Sequence, residues 1–262
     1  MFEFIQYGAD RLQIFILVMM RVSGLFVISP ILSHRTIPPM AKIGLVILFS
    51  VLLTATLQAT PIAPVESLVG LLGMAFKEIL VGVIIGLVFT ILFMALYMAG
   101  ELVGYQVGFA MATVLDPTTQ SNQSIMTQLW LVIATLIFLS INGHHLIISA
   151  LTDSYMVIPP GLVAMTAGAG ELIIKYTAYV FVLGLKMAAP VMVTLFLTDI
   201  SLGVVAKMMP TMNVFFVGFP LKIAVGLTVL AMSLPIFAYV LQQAAMYLDR
   251  QLGFLVATMG RA

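Results

Sequence analysis

The chain has 262 residues, of which 62% are hydrophobic and 8% charged, with a mean hydropathy of +1.19. A soluble domain carries about 25% charged residues, so this chain belongs in lipid or in an assembly that hides its surface as lipid would. A formal net charge of +1 excludes a basic nucleic-acid footprint, and zero cysteines exclude disulfides, thiolate metal sites and a cysteine nucleophile.

The first residues, MFEFIQYGADR, carry Glu3 and Asp10 and no basic residue before Arg11. A cleaved leader needs a positive start, so the N-terminus is expected to be retained. A first apolar run covers residues 12–32, with Arg21 near its centre, and a second covers 40–59 after a link holding His34, Arg35, Pro38 and Pro39. Pro61 and Pro64 break the chain before an apolar stretch over 67–115, interrupted only by Lys77, Glu78 and Glu101. As one helix that stretch would be roughly 70 Å long against a hydrocarbon core of about 30 Å, so it either folds back or lies largely outside a bilayer. Residues 125–151 form a further run, interrupted by Asn142, Gly143, His144 and His145. A softer region over 153–170 contains Pro159, Pro160 and Gly161. Runs over 171–209 and 212–248, with Pro190, Pro220 and Pro235 inside them, close the chain. No run shows the two-residue alternation of a membrane barrel. The predicted fold is all-α, with membrane-associated helical hairpins broken by proline and glycine, breaks that membranes tolerate where protein or a cavity covers them. Arg35 and Lys42 in the first link place it on the cytoplasmic side by the positive-inside rule.

The segment from Gly100 to Ser124 organises the chain. Gly100, Gly104, Gly108 and Ala112 recur every four residues and share one helix face, on which another backbone can approach closely. Asp116-Pro117 ends that helix, because the residue before a proline is pushed out of the α region. Residues 118–123 are polar and uncharged, and serine and asparagine there suit the next N-cap. Phe109, Ala110, Met111, Val114, Leu115, Asp116 and Pro117 combine apolar bulk with a break and lead into a loop expected to be functional; a plain connector is the alternative.

Arg21, Lys77, Glu78, Glu101, Lys175, Lys186, Asp199, Lys207 and Lys222 lie within or beside apolar runs. Ionisable groups there serve an ion pathway, or pair with another helix or subunit. Acids and bases nearly balance and no helix carries an array of carboxylates. Buried ion pairing is therefore expected for Arg21, Lys77, Glu78, Glu101, Lys186 and Lys222. His144 and His145 are adjacent and project in different directions with no evident third ligand, so no metal or other cofactor is expected. No hydrolase, zincin or phosphate-loop motif is present, and no enzymatic activity is expected.

The order of motifs resembles the FliR family, the flagellar branch of the type III secretion export-gate proteins. The motifs are Arg21 followed by Pro30, the Pro38–Lys42 link, Lys77-Glu78 to Gly82, Gly108 to Pro117, Asn142-Gly-His144, Ala188-Ala-Pro190, Met209-Pro-Thr-Met-Asn213 and Phe219-Pro-Leu-Lys-Ile223. The resemblance implies a FliP-like part over 1–170 and a FliQ-like hairpin with a C-terminal tail over 171–262. It also implies one copy in a helical ring with FliP and FliQ, near FlhB and FlhA, in the inner membrane of the flagellar basal body and partly raised toward the periplasm. Unfolded export substrates would pass through it, and the 109–122 region matches a plug-like loop. The virulence-injectisome homologue and an ion-coupled transporter are the alternatives.

Overall fold

The computed structural model of the chain describes residues 2–57, 67–108, 124–164, 167–211 and 213–260. The described residues are arranged as seven helices: α1 (Phe2–Ile28), α2 (Pro39–Thr56), α3 (Leu68–Val107), α4 (Ile125–Ser140), α5 (Gly143–Val157), α6 (Ala167–Met208) and α7 (Val214–Met259). There is no strand among them.

The helix ends follow local chemistry. Pro39 opens α2, where its missing N–H costs nothing and its fixed φ is already helical. Gly108, at φ +100°, closes α3, and its N–H bonds the Gly104 carbonyl at 3.2 Å. Ser124 caps α4 by accepting the Thr127 N–H on its side-chain oxygen. Asn142 adopts φ 59° between α4 and α5, a conformation that asparagine tolerates better than most residues. Pro159, Pro160 and a left-handed Gly161 end the path after α5.

Not every proline is a break. Pro210 lies in the gap between α6 and α7, whereas Pro190 sits inside α6, and Pro220 and Pro235 sit inside α7. An interior proline removes one backbone bond, which a long helix held by packing on both sides survives as a local irregularity. The structure also extends two elements beyond the apolar runs. The first helix begins ten residues before Leu12, and α7 continues past Leu248 to Met259.

Among the described residues, five helices are long and apolar enough to cross a membrane, or there are up to six spans if α4 and α5 count as one broken span. This is a multi-pass membrane protein. Over its described residues the stretch from residue 67 does not fold back: α3 runs unbroken for 40 residues, about 60 Å along its axis. Polar side chains on these helices turn back on their own backbone. Thr194 donates to the Pro190 carbonyl at 2.9 Å, Thr198 to Thr194 at 2.9 Å and Thr228 to Ala224 at 2.7 Å, which satisfies hydroxyls that face apolar surroundings.

The chain packs as two compact units. One comprises residues 1–91, 142–176 and 245–262, and the other 92–141 and 177–244. In the first, Leu17, Val22, Val81, Ile85, Ile147 and Leu151 are buried. There α1 crosses α3 where Gly24 and Gly82 leave no room for a side chain: a Cβ on Gly82 would fall on the Arg21 carbonyl oxygen, and one on Gly24 on that of Ile79. In the second unit Leu96, Ala99, Val103, Ala134, Leu183 and Leu195 are buried. Phe93 meets Phe138, and Trp130 meets Phe237, in edge-on ring contacts at 5.5 and 5.2 Å.

Candidate functional site

Three polar nodes interrupt the apolar packing. The first unit holds the most buried one. Arg21 on α1 and Glu78 on α3 are both 0% exposed and are paired at 2.7 Å between Nε and Oε2. Such a pair persists in a low-dielectric interior only if its remaining donors and acceptors are also satisfied. They are. Arg21 donates from its two terminal nitrogens to Ser154 Oγ and to the Ile158 carbonyl, each at 3.0 Å, while Glu78 Oε1 accepts the Gly161 N–H at 2.8 Å. The guanidinium lies 4.1 Å from the Tyr155 ring centroid, and the Tyr155 hydroxyl donates to the Val18 carbonyl at 3.2 Å. One ion pair therefore fixes α1, α3, α5 and the Pro159–Gly161 turn together.

The second node lies in the other unit, where the glycine stripe meets α4. A Cβ on Gly100 would come within 2.8 Å of Thr127 Cα, and one on Gly104 would overlap Ser124 Oγ. Gly108 faces the Phe219 ring, 3.1 Å from where a Cβ would stand. The stripe thus seats the first turn of α4 against α3. Glu101 reaches that turn: its Oε1 accepts the Thr127 hydroxyl at 2.8 Å and the Ser124 N–H at 3.4 Å. A carboxylate at a helix N-terminus is stabilised by the exposed N–H groups there.

The third node belongs to the same unit. Lys222 on α7 pairs with Asp199 on α6, with side chains 23% and 36% exposed. Asp199 also accepts from Gln106 Nε2 at 3.1 Å, and Lys222 donates to the Gln106 carbonyl at 3.4 Å. The pair edges a cavity of about 460 Å³ whose other walls include Val107, Leu202, Val214 and Phe219.

Of the charges singled out from sequence, Arg21 and Glu78 pair with each other, Lys222 pairs with Asp199, and Glu101 is held by hydroxyl and amide donors. Lys77 and Lys186 are exposed on this chain, as are Lys175 and Lys207, and none of the four is in an ion pair among the described residues. Lys77 precedes Glu78 by one residue, which turns it about 100° away around the helix. Phe109, Ala110, Met111, Ala112, Val114, Leu115, Asp116 and Pro117 lie outside the described residues. Nothing in the sequence marked Ser154, Tyr155, Thr127 or Gln106 as partners, and Gly161 showed only as part of a Pro-Pro-Gly break. Gly24 and Gly82, three and four residues after Arg21 and Glu78, were a legible signal of a close crossing beside each charge.

Comparison with known proteins gives a consistent result. Residues 12–248 match the family described as bacterial export proteins, family 1. Flagellar biosynthetic protein FliR of Bacillus subtilis (strain 168) is 33% identical over 254 residues, covering 96% of this chain and 97% of that protein. Its namesake in Escherichia coli (strain K12) is 32% identical over 220 residues, 84% of each chain. That of Caulobacter vibrioides is 29% identical over 229 residues, 86% of this chain and 91% of that protein.

Proposed function

Because this chain belongs to the FliR family of flagellar export proteins, we propose that it is a structural, non-enzymatic core subunit of the flagellar type III export gate. In this reading it is a component of the flagellar export apparatus that forms, with FliP and FliQ, the channel for unfolded flagellar subunits. One copy enters the ring, close to FlhB and FlhA, in the inner membrane within the basal body and partly raised toward the periplasm. The observation that carries the reading is the match along nearly the whole chain to proteins named for flagellar biosynthesis.

Helix length supports it physically. A membrane core about 30 Å thick covers roughly 20 residues of helix, whereas α6 has 42 residues and α7 has 46. Phe181, Phe196 and Ile200 on α6, and Phe216, Leu221 and Ile236 on α7, are exposed along those lengths. Apolar surface that lipid cannot cover needs protein neighbours. Lys77 and Lys186, exposed here, would find carboxylate partners on those neighbours.

The test is co-expression and extraction in mild detergent. The expected result is a large complex containing FliP and FliQ, with little stable chain recovered when expressed alone. Recovery as a small, self-sufficient oligomer would favour an ion-coupled transporter. Normal assembly in a strain whose flagellar export is intact without this chain would also overturn the proposal.

A further inference from the structure

In the second unit α4 and α7 meet at an aromatic joint formed by Trp130 and Phe237. Trp130 is only 3% exposed, and its indole Nε1 has no hydrogen-bond partner among the described residues. A buried N–H left unbonded is costly, so such groups are nearly always satisfied by protein or by an ordered water. Trp130 lines a small cavity together with Ile133, Leu230, Ser233, Leu234 and Phe237. The cavity volume is about 10 Å³, close to the least that holds a single water.

The cavity also offers an acceptor. Ser233, 8% exposed, donates its hydroxyl hydrogen to the Leu230 carbonyl at 2.9 Å, so the lone pairs of Oγ remain free. Two residues that line this space, Trp130 and Ser233, carry a buried donor and a buried acceptor on different helices in an otherwise apolar wall.

We propose that a single structural water occupies this cavity, accepting the Trp130 indole N–H and donating to Ser233 Oγ, and so bridges α4 to α7. The bridge is a fixed hydrated point inside a membrane protein's core. It lies two residues before Pro235, where α7 lacks one of its own backbone bonds.

The sequence provides its own probe, because Trp130 is the only tryptophan. Ultraviolet resonance Raman spectra of the purified export complex would be recorded for wild type and variants, with the Trp130→Phe complex as the blank for other subunits. In wild type the indole N–H marker band is expected at the hydrogen-bonded position. Ser233→Ala removes the acceptor and is expected to move the band to the unbonded position, with assembly unchanged. Ser233→Val, whose extra methyl fills the space, is expected to do the same. Phe237→Leu is expected to leave the band hydrogen-bonded. An unbonded band in wild type would overturn the proposal. So would a band that ignores both Ser233 variants, or one that shifts only in Phe237→Leu, since the N–H would then bond elsewhere or rest on the Phe237 ring.

Discussion

Replacing Glu78 with glutamine isolates the charge in the most buried node. The amide oxygen of glutamine can still accept the Gly161 N–H, which Glu78 Oε1 accepts at 2.8 Å, so that bond is kept. What is lost is the countercharge 2.7 Å from Arg21 Nε, in a site where both side chains are fully buried. Removing one member of a buried pair costs about 3–5 kcal/mol, because the other charge stays buried without compensation. At about 1.4 kcal/mol per factor of ten, that is two to nearly four orders of magnitude in the folded-to-unfolded ratio. Arg21→Met should cost about the same by stranding the carboxylate. The double variant Arg21→Met/Glu78→Gln strands no charge. Ser154 Oγ keeps its bond to the Leu151 carbonyl at 2.6 Å, which leaves the Ile158 carbonyl without its guanidinium donor and the new amide N–H groups at position 78 without an acceptor. Each such group costs about 1–3 kcal/mol. The pair of changes is therefore expected to cost clearly less than the sum of the two singles. The assay is survival of a monodisperse, fluorescently tagged species in detergent after a temperature ramp, for wild type, both singles and the double. If the double loses the sum of the singles, or Glu78→Gln melts like wild type, the node is not the electrostatic tie described here.

Three further outcomes follow from the geometry, and a fourth from the proposed plug role of the 109–122 segment. Gly82→Ala should sharply reduce folded chain in the same thermal assay, because its Cβ falls on the Arg21 carbonyl oxygen, whereas Gly73→Ala, with nothing within 4 Å, should be neutral or gain up to about 1 kcal/mol in helix propensity. Glu101→Gln should lose about 0.3–1 kcal/mol, since only the charge at the start of α4 is removed, and Glu101→Ala should lose more because Thr127 and Ser124 lose their acceptor. Asp199→Asn should shift stability by no more than about 1 kcal/mol, because the pair with Lys222 is partly exposed and screened by solvent. Deleting residues 110–119 should leave the complex assembled but leaky to small ions, measured as membrane conductance in cells lacking an external filament; a tight deletion complex would return that segment to a connector.

Composition, run length and the missing two-residue alternation were enough to point to an all-α chain in lipid or in a lipid-like assembly, because a helix satisfies its backbone within its own segment, and the described residues hold no strand. Capping was only nearly legible: the N-cap candidates were the serine and asparagine within residues 118–123, and the residue that caps α4 is Ser124, just past that run. The glycines at 100, 104 and 108 announced a small face by their spacing, but not that the first turn of α4 would occupy it at Gly100 and Gly104. Which ionisable groups meet was decided only in three dimensions. Lys77 and Glu78 are neighbours in sequence with opposite fates, one exposed and one fully buried, because rotation about the helix axis separates them. Glu78 pairs with a residue 57 positions earlier, and Arg21 finds Ser154 and Ile158 more than 130 positions later. A hydrophobic pattern carries no record of such distant partners, since burial of a charge depends on what several helices jointly present around it. The same limit applies to the prolines. Each removes a single backbone bond, and whether the helix stops, as near Pro210, or continues, as at Pro190, Pro220 and Pro235, is set by the packing on either side.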